Sequence, residues 1–309
     1  MNYTLHQLQV FSKVVQTRSI TRAAEELFMT QPAVSIQLKN FQEQFDIPLT
    51  ELIGRQLYVT DFGKEIYQLA ERIINEMYAI NYKTASYKGL LSGRLSISTI
   101  STGKYVMPYF VSGFMRDHSA IELTMDVTNK TQVFQGLVRA EFDFALSYAL
   151  PNDIDVESEV IMQNELHAVG PADGIKTAKA IKKDQFANLP MIFREEGSGT
   201  RHILENYFGT DIRLIKRKIN LTSNEAVKQA VIAGLGYSIL PTTGIRHELS
   251  AGEIRLLKVE GLPIKTQWRL IWLKNKQLSP VADAFVKYLR NNKKQIVDKH
   301  FQFGKLDKH

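Results

Sequence analysis

The sequence of 309 residues contains no cysteine. That absence removes thiolate nucleophiles, cysteine-ligated zinc, disulfides and thiol redox sensing together. Histidine is sparse, and the seven copies are scattered without the spacing of metal ligands. No His-Glu-x-x-His, Gly-x-Ser-x-Gly elbow or Walker loop occurs. Carboxylate pairs such as Glu25-Glu26 and Glu195-Glu196 are neighbours in the chain, so their side chains diverge. Neither catalysis nor a cofactor or metal is expected. No uninterrupted apolar run approaches a membrane span, and Met1-Asn-Tyr-Thr-Leu-His carries no basic n-region or apolar h-region. A cytoplasmic protein with no membrane contact is expected.

At this length two domains or so are expected. The net charge of +7 suggests a polyanionic partner, but its distribution does not support one. Residues 1–60 hold five basic side chains (Lys13, Arg18, Arg22, Lys39, Arg55) and five acidic ones (Glu25, Glu26, Glu43, Asp46, Glu51). Much of the excess lies near the C-terminus, at Lys287, Arg290, Lys293, Lys294, Lys299, Lys305 and Lys308. If residues 1–60 bind DNA, they do so by local placement.

The stretch 18–41 reads as two short helices joined by a tight turn. Ser19 or Thr21 can cap the first, whose apolar positions are Ile20, Ala23, Ala24 and Leu27; Phe28-Met29 makes the turn. Thr30 is a good N-cap for the second, with Pro32 in the first turn, where a missing N–H costs nothing. Val34, Leu38, Phe41 and Phe45 form one apolar stripe. The opposite face carries Pro32, Ile36, Lys39 and Asn40, flanked by Gln31, Ser35 and Gln42. Spacing alone fits an ordinary two-helix corner and a DNA-reading helix equally.

Around this pair, Leu5, Leu8, Phe11, Val14 and Val15 predict an amphipathic first helix, and Leu57-Tyr-Val-Thr60 a short strand entered from a turn at Gly54-Arg55-Gln56. Three helices and a β-ribbon make a winged helix-turn-helix, with Arg55 near the wing tip as a phosphate contact. Thr60 then caps a long helix in which Ile66, Ala70, Ile73, Met77, Ile80, Thr84 and Tyr87 step by four and three, the seam of a coiled coil ending near Gly89. From Gly93 strands alternate with helices, which indicates an α/β region of largely parallel sheets in two lobes. Its final helix is expected from Ser279-Pro280 to about Arg290, followed by a polar tail.

These residues resemble a LysR-type transcriptional regulator over essentially the whole chain. The N-terminal match is Leu8…Phe11, Ser19-Ile-Thr-Arg-Ala-Ala, Leu27, Thr30-Gln-Pro-Ala-Val-Ser35, Leu38 and Thr60…Gly63. Asp143-Phe-Ala-Leu, Gly197-Ser-Gly-Thr-Arg201 and Ser223-Asn-Glu-Ala…Ala233-Gly-Leu-Gly-Tyr237 are similar to the family's effector-binding half. Ser101-Thr-Gly-Lys-Tyr-Val-Met-Pro108 and Val127-Thr-Asn-Lys130 look most like its regulators of RuBisCO operons and sulfur assimilation. The family usually has Gly at Asp46, Phe at Thr50 and Arg at Leu52. Asp46 is expected to take a left-handed turn, and Leu52 removes a wing-side charge.

The resemblance implies a winged helix-turn-helix over 1–62, a linker and dimerisation helix over 63–89, and an effector domain over 90–309 built like a periplasmic solute-binding protein. Lobe I takes 93–163 and 267–309, and lobe II 164–266. A dimer through the linker helix, assembling further to a tetramer, would present two recognition helices to double-stranded DNA. Gln31 and Ser35 are expected to hydrogen-bond base edges, with Pro32 and Ala33 against a thymine methyl and Ser19, Arg22, Lys39 and Arg55 on phosphates. In the effector half, Ser101 and Thr102 after the first strand, and Thr200 and Arg201 after the Gly-rich turn, are expected to bind a small anionic metabolite. Asn129, Ser147, Tyr148 and Ser223 would lie at the same cleft, since open α/β sheets bind ligands at the C-terminal ends of their strands. A transport receptor would leave the first 90 residues unexplained. A regulator with no small-molecule effector is the alternative.

Overall fold

Side-chain caps set the first three helices. In α1 (Leu5–Thr17), the Thr4 hydroxyl accepts from Gln7 N and the Gln7 side chain returns to Thr4 N. Ser19 caps α2 (Ile20–Glu26) by accepting from Arg22 N, and Thr30 caps α3 (Gln31–Gln42) by accepting from Ala33 N. Caps of this kind each contribute about 1 kcal/mol. The α2–α3 turn passes through Phe28 in left-handed backbone, φ 54°. The antiparallel ribbon β1 (Thr50–Ile53) and β2 (Gln56–Val59) turns at Gly54, whose φ of 65° favours glycine. The long helix α4 (Asp61–Tyr87) follows, with Thr60 Oγ1 accepting from Gly63 N and donating to the Pro48 carbonyl. Gly63 is required by close approach, because a Cβ there would collide with the Leu49 carbonyl.

This computed structural model describes residues 2–54, 56–87, 91–175 and 179–301, and it divides into two units, 1–93 and 94–309. The first unit has a core of Leu8, Phe11, Val14, Val34, Leu38, Phe41, Leu49 and Leu57. Phe41 sits at its centre, with the rings of Tyr3, Phe11 and Phe45 at 5.1–5.4 Å.

Two expectations for this unit are corrected. Non-glycine residues with positive φ, among those described, are Arg18, Phe28 and Ala140, so Asp46 turns the chain without left-handed backbone. The apolar seam of α4 also changes. Ala70 is buried, and with Ile66, Tyr67 and Ile74 it packs onto the unit's own core, four-residue steps keeping these positions on one face. The outward apolar positions are Leu69 and Ile73, each 47% exposed, together with Ile80. The side chains of Thr84 and Tyr87 lie outside what is described.

The second unit runs β3 (Gly93–Ile100), α5 (Met107–Asp117), β4 (Ile121–Thr128), α6 (Lys130–Val138), β5 (Phe144–Ser147), β6 (Val156–Pro171) and α7 (Lys183–Ala187). It continues with β7 (Met191–Arg194), α8 (Gly199–Phe208), β8 (Lys218–Leu221), α9 (Asn224–Ile232), β9 (Ser238–Pro241), α10 (Arg246–Ser250), β10 (Ile254–Leu257), β11 (Ile264–Leu273) and α11 (Pro280–His300). One sheet has the order β10-β6-β11-β5-β3-β4 with β9 also on β6, and β7 and β8 form a separate pair.

The sheets are mixed rather than largely parallel. The pairs β3–β5 and β7–β8 are parallel, whereas β6 is antiparallel to β9, β10 and β11, and β11 is antiparallel to β5. The 16-residue strand β6 accounts for the difference. It opens Val-Glu-Ser-Glu-Val, three polar residues in a row, and not the continuous apolar run of a buried parallel strand. Helix α11 also passes Arg290 and continues to His300. Its polar extension is held by Arg290 and Lys293 on Glu159, at 2.9 and 2.5 Å, and by buried Phe301 stacked on Phe110.

Candidate functional site

The first surface is the outer side of α3. Because Val34, Leu38 and Phe41 are buried, the opposite side of this helix is presented outward. Gln31, Pro32, Ile36, Lys39 and Asn40 are exposed, and Ala33 and Ser35 are half-buried. Gln31 Nε2 donates to Ser35 Oγ at 3.3 Å, so the two polar groups meet one turn apart on one flank. Lys39 is 3.8 Å from Glu43, an exposed pair worth little in water. Arg22 is exposed on α2, and the Ser19 oxygen is already used as that helix's cap. Arg55 lies outside the described residues.

The second surface is a recess of about 320 Å³ in the α/β unit. Four strands end at it. Ser101 and Lys104 follow β3, Thr128 and Asn129 come at the end of β4, Arg194 and Glu195 at the end of β7, and Thr222, Ser223 and Asn224 after β8. Two helix N-termini open beside it: Asn129 caps α6 by accepting from Gln132 N, and Ser223 caps α9 by accepting from Ala226 N.

Arg194 is the buried charge of the recess, 3% exposed. Its Nε and Nη2 donate to the two oxygens of Glu195, both at 2.7 Å, and Nη2 also reaches Ser101 Oγ at 3.2 Å. Ser101 Oγ donates in turn to the Thr128 carbonyl. The remaining nitrogen, Nη1, is buried without a hydrogen-bond partner, and so are both ends of the Asn224 amide. Leaving a buried polar group unsatisfied costs about 1–3 kcal/mol, more when it is charged. Three such atoms, on two residues, belong to the lining of one recess.

One turn along α9, buried Lys228 bridges Glu225 at 3.0 Å and Glu248 at 2.7 Å. Burial alone would lower the Lys228 pKa, but the two carboxylates outweigh it and hold the ammonium above the usual lysine value. Tyr105 donates to Glu225 at 3.4 Å. Its phenol is pushed up by burial. These groups tie the β3–α5 segment to α9 beside the recess. Among the described residues no group of three or more acidic or histidine side chains is placed to hold a metal ion, and no helix is long and apolar enough to cross a membrane.

Comparison with known proteins identifies the families of both halves of the chain. Residues 5–64 match the family described as bacterial regulatory helix-turn-helix protein, lysR family, and residues 88–294 match the LysR substrate binding domain. The chain belongs to the LysR family. It is a LysR-type DNA-binding transcriptional regulator, and the relatives it matches are regulators, not enzymes. It is 37% identical over 290 residues to the RuBisCO operon transcriptional regulator of Allochromatium vinosum, covering 94% of this chain and 96% of that one. To the HTH-type transcriptional activator CmpR of Synechocystis it is 35% identical over 289 residues, 93% of this chain and 95% of that one. Among solved structures it is similar to the Synechocystis CcmR regulatory domain in complex with 2-PG, with TM-score 0.61, 31% identity and coverage of 66% of this chain and 98% of that one.

In this LysR regulator the expected effector residues separate into two groups. Ser101, Asn129 and Ser223 line the recess. Thr102 is buried beside Tyr105 and Asn224 in a smaller hollow. Ser147 is fully buried, its Oγ accepting from Ala149 N. The Tyr148 ring packs edge-on against Trp268, with its hydroxyl against Gly199; burial pushes that phenol far up, so it stays protonated. Thr200 is buried on α8. Arg201 lines a neighbouring recess with Lys130, Ser198 and His202, where Glu205 takes its Nε at 2.7 Å and Glu196 stands 3.7 Å from Nη2. Residue-by-residue reading missed Lys104, Arg194, Thr222 and Asn224. The sequence signal for Arg194 is its position as the last residue of β7, since open α/β sheets generally bind ligands at strand ends.

Proposed function

We propose that this regulator is switched by a small anionic metabolite held in the recess at the ends of β3, β4, β7 and β8. The observation that carries this reading is the unpartnered Arg194 Nη1 beside the unpartnered Asn224 amide. An oxyanion offers acceptors for both donors, and Lys104 and the N-termini of α6 and α9 add positive potential. The Asn129 amide nitrogen and the Ser223 hydroxyl supply further donors, while Ser101, whose proton goes to the Thr128 carbonyl, positions Arg194. Thr102, Ser147, Tyr148 and Thr200 act from behind as packing and support. The 2-PG complex of the CcmR domain, a relative at 31% identity, points to the same class of ligand.

The α/β unit is read as lobe I, 93–163 and 267–309, and lobe II, 164–266. In support, β6 and β11 run through both parts. The β6 partner β9 begins only at Leu166, the register of β11 shifts between Trp268 and Arg269, and the buried Asn164 amide bonds Thr266 Oγ1 where the strands cross. A ligand that favours one lobe arrangement would shift the population of that arrangement and so regulate the protein. In the DNA-binding unit, residues 1–62, Gln31 and Ser35 read base edges with Pro32 and Ala33 beside them. Ser19, Arg22, Lys39 and Arg55 hold phosphates. Helix α4 supplies a dimer seam through Leu69 and Ile73, with a tetramer as the larger assembly. The protein acts in the cytoplasm.

The test is calorimetry and thermal shift on the full chain with 2-PG, inorganic phosphate and sulfate. Saturable heat and a raised Tm with at least one of them are expected. No heat and no shift with any would contradict the metabolite reading and favour a regulator without an effector.

A further inference from the structure

Ile36 has no role in the core of its unit. At 100° per residue it points away from the buried stripe of Val34, Leu38 and Phe41, on the side of α3 that carries Pro32, Lys39 and Asn40. It is 57% exposed, the one large apolar side chain of α3 that is. Gln31 and Ser35, joined to one another, occupy the flank, so Ile36 is the foremost bulky group on the helix's outer side. A single exposed isoleucine on a surface needs no explanation. One at the middle of the outer face of a recognition helix does, because burying that face against DNA fixes what the side chain can accept.

We propose that Ile36 determines specificity by packing on the C5-methyl group of a thymine in the major groove. The proposal rests on α3 being the base-reading helix. The thymine methyl is the one apolar feature that base edges show in that groove. Every other edge presents donors or acceptors that an aliphatic side chain would strip of water without replacing the hydrogen bonds, so Ile36 both favours thymine and penalises the alternatives. β-Branching suits the side chain to such a contact, because an isoleucine in a helix holds one χ1 rotamer and loses little freedom on docking. Lys39, three residues along the same face, places a cation beside that contact.

The experiment is a thymine-to-uracil scan of the binding sequence obtained by in vitro selection with the full chain. Uracil keeps each hydrogen-bonding group of thymine and lacks only the methyl. With the wild-type protein, a position in each half-site, separate from any thymine methyl met by Pro32 or Ala33, is expected to lose about fourfold in affinity, the worth of one buried methyl. In Ile36→Ala the penalty at that position disappears. In Gln31→Ala it persists. Ile36→Ala removes no core contact and replaces a β-branched residue by a better helix former, so circular dichroism and Tm should match the wild type. A selected sequence with no uracil-sensitive position, or uracil penalties that are all unchanged in Ile36→Ala, would overturn the proposal while leaving α3 as the reading helix. Failure to select any sequence would overturn both.

Discussion

The α3 face and the α/β recess are both polar, and they keep their polar groups in opposite states. On α3 the polar side chains are open to solvent or half-buried, where water can reach them, and Gln31 also donates to Ser35. At the recess, Arg194 is 3% exposed and Asn224 5%, and both keep atoms with no partner. A duplex is large and strongly hydrated, and a surface that meets it can wait in water at no cost. A small metabolite has few atoms with which to repay desolvation. If the recess is its site, as proposed, the Arg194 and Asn224 groups are already dry, and part of the cost of binding is borne before the ligand arrives.

Each side of that contrast can be broken separately. The largest effect is expected from Arg194→Met. Removing a charged donor from a desolvated site should weaken metabolite binding by about 3 kcal/mol, a factor of more than 100, measured by calorimetry, with DNA affinity in the absence of metabolite unchanged. Next is Gln31→Ala, which should lose about 1–3 kcal/mol of discrimination at one base pair and alter the selected sequence without changing Tm. A uniform weakening over all sequences would place Gln31 on the backbone instead.

A subtler effect is expected at Asn224. Replacing it by Ala deletes two buried unsatisfied groups, so the metabolite-free protein should melt at the same temperature or higher, a gain of up to about 1 kcal/mol, while metabolite affinity falls. A lower Tm in the empty protein would mean that the Asn224 amide is satisfied and the contrast is wrong. The smallest is Lys39→Ala. It should weaken all DNA sequences alike by less than about 1 kcal/mol and reduce the salt slope by about one.

What could be read from the residues alone divides along the same line. The DNA-binding half was legible because its determinants are local. Ser19 and Thr30 cap the helices that their spacing suggests, and Val34, Leu38 and Phe41 fill the core that their period suggests. Local patterning reached less far in α4, where one apolar helix serves two neighbours. Ala70 belongs to the unit's own core and Leu69 to the outer row, a division decided by packing against α1. In the α/β half, strand β6 hid behind its alternating charges. The recess was legible only as far as residues that follow a strand in a recognisable loop: Ser101, Asn129 and Ser223 were found there. Arg201 stands out in the sequence beside a Gly-rich turn, and Arg194 does not. Whether an arginine's donors are already taken depends on carboxylates such as Glu205 and Glu196, and only the folded chain shows them.

Those two arginines supply the most direct test of the metabolite site. The full chain, Arg194→Met and Arg201→Met should each be titrated in a calorimeter with whichever of 2-PG, phosphate and sulfate binds the wild type, after matched melting curves confirm that all three are folded. Saturable binding is expected in the wild type, with near-wild-type affinity in Arg201→Met and loss of binding in Arg194→Met. Binding that survives in Arg194→Met and vanishes in Arg201→Met would contradict the proposed site, and would move it to the neighbouring recess at the start of α8.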